Sequence, residues 1–160
     1  MIEPNSIAAA ASRLQWFELA DVQEQASPAL LVFRDRVEQN ARRMLEFTRG
    51  PERLRPHIKT HKMREVVELQ LRLGITKFKC ATVAEAEMAA GAGVPDLLLA
   101  YQPVGPCIRR VMELVRSFPA TKFSVICDDA NAIRELSNGV QTFLSASGKH
   151  LSVLLDVDVG

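Results

Sequence analysis

The chain has 160 residues, 48% hydrophobic and 24% charged, with a formal net charge of +1 at neutral pH. That length suits one well-buried domain and is short for two, and the near-zero charge argues against a polybasic nucleic-acid binder. Cys80, Cys107 and Cys127 are odd in number and form no CxxC pair, which argues against a disulfide framework or a zinc knuckle and fits a reducing cytoplasm.

The opening, MIEPNSIAAAASRLQWF, has an early acid and a proline and no long apolar core, so no signal peptide is expected, and no run suits a membrane span. A helical lead-in is followed by SPALLVF (27–33), read as a strand entered at Pro28. DRVEQNARRMLEF is a predicted helix, with Asp35 as cap, Glu38 completing a capping box, and Val37, Ala41, Met44 and Leu45 on one stripe. Gly50 and Pro51 close it.

Strands and helices then alternate. LRPHIKT is a predicted strand and MREVVELQLRL a helix ending at Gly74. KFKCA is a strand, and TVAEAEMAAGAG a helix opened by the Thr82–Glu85 capping box. DLLLAYQ is a strand, and CIRRVMELVRSF a helix with Ile108, Val111, Met112 and Val115 on one face. KFSVICD is a strand, DANAIREL a helix stopping at Gly139, VQTFLSAS a further helix, and LSVLLDVDV the last strand. Strand starts roughly 20 to 30 residues apart predict right-handed βαβ units and a parallel sheet. The near-continuous apolar strands predict cover on both faces.

The fold class is therefore α/β, as an open doubly wound sheet or a barrel. The glycines of GAGVPD (91–96) follow a helix and precede a strand, the wrong order for a dinucleotide fingerprint, so Gly91 and Gly93 read as helix-end punctuation. A partial TIM-type (β/α)8 barrel is preferred, with function at the carboxyl ends of its strands. Those ends carry Lys59, Thr60 and His61; Cys80 and Thr82; Tyr101 and Gln102; Asp128; and Asp156 and Asp158. Asp128 is also placed to cap the next helix.

RLRPHIKTHKMRE (53–65) concentrates histidines and lysines beside Arg53, Arg55 and Arg64. As a metal site it suffers from strand spacing, because His57 and His61 would stand about 13 Å apart at the usual rise. As a nucleic-acid patch it has no interleaved aromatic residue, and a solvated basic face accounts for Arg53, Lys62 and Arg64. The third reading is a reactive lysine. On a strand Lys59 would share a face with both histidines at about 6.7 Å. Cationic neighbours and desolvation would then favour a nucleophilic amine, suited to an aldehyde such as pyridoxal phosphate.

RPHIKTHK, with WFELADVQEQASPALLVF before it and KFKCATVAEAEMAAGAGVPDLLLAYQPVGP and LLDVDVG after it, resembles the D-threonine aldolase and D-serine dehydratase group, which has an alanine-racemase-type barrel. The resemblance runs from about residue 16 to the end. It implies that Lys59 holds pyridoxal phosphate as an internal aldimine, and that His57, Thr82, Tyr101 and Gln102 line the cofactor or substrate site. It also implies a lyase acting on D-β-hydroxy-amino acids, through retro-aldol cleavage or, alternatively, loss of water. A divalent metal with ligands outside this chain and a homodimer are implied as well. Residues 1–34 would pair with a β domain beyond Gly160, and 35–160 would be the first half of the barrel, inactive alone. A non-catalytic cofactor-binding or remnant domain is the alternative of another class.

Overall fold

In the computed structural model, residues 17–19 and 21–159 are described, so most of the expected lead-in lies outside the described residues. By internal contact the chain divides into Met1–Gln39 and Asn40–Gly160. In the first unit Val22–Glu24 forms a short 3-10 turn. Residues 27–33 form no strand, contrary to expectation, with Leu30, Leu31 and Val32 exposed. A strand exists through its ladder, and no described strand pairs with this segment.

Helix α1 spans Arg34–Thr48. Its start corrects the expected cap: Arg36 and Val37 donate their amides to Phe33 O, so Asp35 sits inside the first turn, where its carboxylate still faces the positive end of the helix dipole. Within the second unit, Ala41 is buried, and Met44 and Leu45 rest against the core.

The rhythm read from the sequence then appears as four strands and four helices. Helix α2 is Arg64–Arg72, β1 Lys77–Cys80, α3 Val83–Gly91, β2 Asp96–Leu99, α4 Pro106–Ser117, β3 Lys122–Cys127, α5 Ala130–Phe143 and β4 Ser152–Leu155. The strands form one parallel sheet in sequence order, β1-β2-β3-β4. Lys77 pairs with Asp96, Asp96 with Lys122, and Ser124 with Ser152. Phe78, Leu97, Val125 and Cys127 are buried from one face, with Val67, Val94, Val111, Met112 and Leu136 in the same core. The opposite face is not covered as the apolar strands suggested. Its Leu98 and Ile126 are half-buried and Leu154 is exposed.

Three local details decide the lengths of elements. At the end of α3 the Val94 amide donates to Ala89 O and that of Gly93 to Ala90 O, with Gly93 at φ +89°, so these glycines do close a helix. At its start Thr82 Oγ1 accepts from the Glu85 amide at 3.1 Å, while Glu85 Oε2 accepts from the Ala81 amide at 2.8 Å, one residue earlier than in the usual capping box. Thr82→Ala is expected to lower stability by about 1 kcal/mol in a urea titration.

Gly139 does not stop a helix; α5 runs through it to Phe143, and only Ser145–Ser147 forms a separate 3-10 turn. A Cβ there would stand 2.7 Å from Ile108 Cγ2, so the missing side chain is what lets α5 approach α4. Mid-helix Gly→Ala normally stabilises by about 1 kcal/mol. Gly139→Ala is instead expected to give no gain or a loss, and Gly139→Val a loss of about 1–3 kcal/mol by overpacking.

Candidate active site

The first expected barrel strand is mostly absent. His57 makes one isolated parallel bridge to Lys79, whose amide donates to Pro56 O at 2.9 Å, and the chain then turns through a 3-10 helix at Ile58–Thr60. Pro56 has no amide to give a ladder, and the amides of His61 and Lys62 both return to Ile58 O. Residues 57, 59 and 61 therefore do not share a strand face, and the spacing of about 6.7 Å drawn from strand geometry does not apply.

What holds Lys59 in place is a turn with a buried anchor. Ile58 is fully buried, and His57 Nδ1 accepts from the Lys59 amide at 3.2 Å. Upstream, Arg55 Nη1 lies 2.7 Å from Asp96 Oδ1 on β2 and donates to Phe78 O on β1, fastening the segment to the sheet. The turn presents the Lys59 side chain to a hollow of about 470 Å3 on the uncovered face of the sheet. His57, Lys79, Ala81, Leu98, Ile126 and Asp156 also line it.

The lysines of the motif have different employment. Lys62, at φ +51°, lies with Nζ 3.6 Å from Glu85 Oε1, a buried carboxylate already engaged at the Ala81 amide. Lys59 is exposed and has no ion pair among the described residues.

The remaining expected site residues take other positions. Thr82 caps α3 with its hydroxyl, and Tyr101 is half exposed; neither lines the hollow. Gln102 Oε1 accepts from Cys127 Sγ at 3.0 Å and from the Asp128 amide at 2.9 Å, tying the loop after β2 to the end of β3. Asp129 rather than Asp128 caps α5, accepting the amides of Asn131 and Ala132. Burial pushes the Cys80 thiol up to about 12, so it remains a protonated core side chain. Among the described residues no three His, Cys, Asp or Glu side chains gather to hold a metal.

His57 is held below its ordinary pKa by burial and then by the charges of Lys59 and Lys79, and His61 by burial. The fold therefore prefers neutral imidazoles. This stability is present above the unfolded value of 6.5 and is lost as pH falls through the lower folded values. The urea midpoint is expected to drop as pH falls below 6.5, and His61→Asn to reduce that drop.

Lys79 was missed by reading the motif alone. The alternation in KFKC carries the signal: Phe78 and Cys80 are buried, which sends Lys77 and Lys79 to the other face.

A parallel α/β sheet following the order of the chain, with a hollow at the carboxyl ends of its strands, is consistent with part of a barrel-type domain. The family described as "Alanine racemase, N-terminal domain" matches residues 32–160, and the chain belongs to it. It is 32% identical over 136 residues to D-threonine aldolase of Arthrobacter sp, covering 84% of this chain and 34% of that protein. It is 31% identical over 143 residues to 3-hydroxy-D-aspartate aldolase of Paracoccus denitrificans, covering 88% and 35%. The crystal structure of D-threonine aldolase from Filomicrobium marinum superposes with a TM-score of 0.73 at 30% identity, over 84% of this chain and 35% of that one. The chain thus spans about a third of the length of the curated relatives it matches.

Proposed function

We propose that this chain carries the lysine-bearing part of a pyridoxal-phosphate-dependent lyase acting on D-β-hydroxy-amino acids, in the manner of a D-threonine aldolase. The observation that carries the reading is the contrast between two lysines of one motif. Glu85 engages Lys62, whereas Lys59 projects from an anchored turn beside the hollow with no ion pair among the described residues. The named activities of the two aldolase relatives support it.

The residues present fit the cofactor. A hollow of about 470 Å3 falls within the usual range of small-molecule sites. Leu98, Ile126 and Leu154 offer apolar contact to a ring. Bound pyridoxal phosphate would supply an electron sink for the α-carbon of an amino acid, weakening the bond to a hydroxyl-bearing β-carbon. Lys59 provides the amine nucleophile for the cofactor's aldehyde carbon and, once exchanged, a base or acid at its Nζ. His57 accepts the Lys59 amide and so helps to fix the backbone from which that side chain departs.

Full-length protein supplied with pyridoxal phosphate and a divalent metal is expected to convert D-threonine, and not L-threonine, to glycine and acetaldehyde in a coupled aldehyde assay. Equal turnover of the two enantiomers contradicts this reading. A keto acid in place of glycine moves the assignment to the dehydratase alternative.

A further inference from the structure

The hollow contains a second ammonium that the reading above leaves without a task. Lys79 sits on the inner face of β1, half-buried, with Leu98, Ala100, Ile126 and Leu154 lining the same space. Placing a lysine there costs solvation, and three other lysines have partners for their ammonium groups. Lys62 has Glu85, Lys77 Nζ donates to Glu52 O at 3.0 Å, and Lys149 Nζ donates to Arg116 O at 2.6 Å. Among the described residues no hydrogen bond or ion pair reaches the Lys79 ammonium, and Asp156, the acid lining the hollow, is not paired with it.

Its backbone is fixed nonetheless. The bridge between Lys79 and His57, and the bond from the Lys79 amide to Pro56 O, hold this residue directly beside the turn that presents Lys59. A cation on a fixed backbone, with no hydrogen bond or ion pair among the described residues and opening onto the same hollow as the candidate nucleophile, is arranged to meet an anion arriving with a ligand.

We propose that Lys79 is a binding residue of this site that holds an oxyanion of the molecule bound at Lys59. This rests on Lys59 being the cofactor-bearing residue. The oxyanion has two possible sources, the phosphate or phenolate of the cofactor and a carboxylate of the amino-acid substrate, and the test separates them. In the full-length protein, Lys79→Met removes the charge at similar length and Lys79→Arg keeps a cation. Apo-protein is titrated with pyridoxal phosphate by absorbance, and KM is measured for 3-hydroxy-D-aspartate and D-threonine.

If the cofactor is the source, Lys79→Met weakens pyridoxal phosphate binding about tenfold or more, as expected for a lost charge-assisted hydrogen bond. If the substrate is the source, cofactor binding stays within about twofold and KM rises about tenfold or more. A rise for both substrates assigns the α-carboxylate, and a rise for hydroxyaspartate alone assigns the side-chain carboxylate. In either case Lys79→Arg retains most of the binding. Lys79→Met with cofactor affinity and both KM values unchanged overturns the proposal, as does an arginine variant as impaired as the methionine one. Borohydride trapping in the unmodified protein separates the two readings. Failure to label Lys59 overturns both, whereas normal labelling with an indifferent Lys79→Met overturns only this one.

Discussion

Lys59→Ala is expected to reduce turnover by on the order of 10^4-fold or more, the scale of losing a nucleophile that acts covalently. The melting curve should barely change, because the side chain is exposed and has no ion pair among the described residues. Lys62→Ala is expected to do the reverse. It leaves a buried Glu85 carboxylate without its cation, so stability falls while the nucleophile remains. The pair of variants thus separates chemistry from folding within one short motif. Equal loss of turnover in both, with equal loss of stability, would contradict the division of roles.

Ile58→Ala is expected to cost about 2–5 kcal/mol, the range for emptying a well-packed aliphatic site. Ile58 is fully buried, and its carbonyl accepts the amides of both His61 and Lys62, so it anchors the turn from below while Lys59 faces the hollow. The loss should appear as a lower urea midpoint with an unchanged slope. It should also weaken cofactor retention at temperatures where the protein is still folded, because the turn loses its anchor. A change within about 0.5 kcal/mol would place the turn outside the cooperative core.

The α/β alternation was legible in the sequence because helix and strand periods differ so plainly in segments such as CIRRVMELVRSF and KFSVIC. The stripe of Ile108, Val111, Met112 and Val115 is buried as read. What misled was punctuation. Gly139 resembles a stop signal, but its role is close contact with Ile108 across the helix pair, a tertiary fact that no local pattern reports. LRPHIKT has the composition of a strand, yet the i→i+3 bond from the His61 amide to Ile58 O converts it to a turn after the single His57–Lys79 bridge.

The site was partly legible for the same reason. Lys59 stands out through its motif and lies at the hollow, on a 3-10 turn and not on the strand its composition suggests. Thr82 was visible as a cap, and its hydroxyl is engaged as one. Gln102 gave no local sign that it ties β2 to β3, because its partners at Cys127 and Asp128 lie far along the chain. Lys79 was within reach: once Phe78 and Cys80 are taken as core, alternation places it on the inner face.

The central claim, that Lys59 carries pyridoxal phosphate, is tested most directly by borohydride reduction of the cofactor-loaded full-length protein followed by peptide mapping. The account predicts a pyridoxyl adduct on the peptide containing Lys59, and its loss in Lys59→Ala. An adduct on Lys79, which lines the same hollow, or on Lys62, or no stable adduct on any lysine, would contradict it.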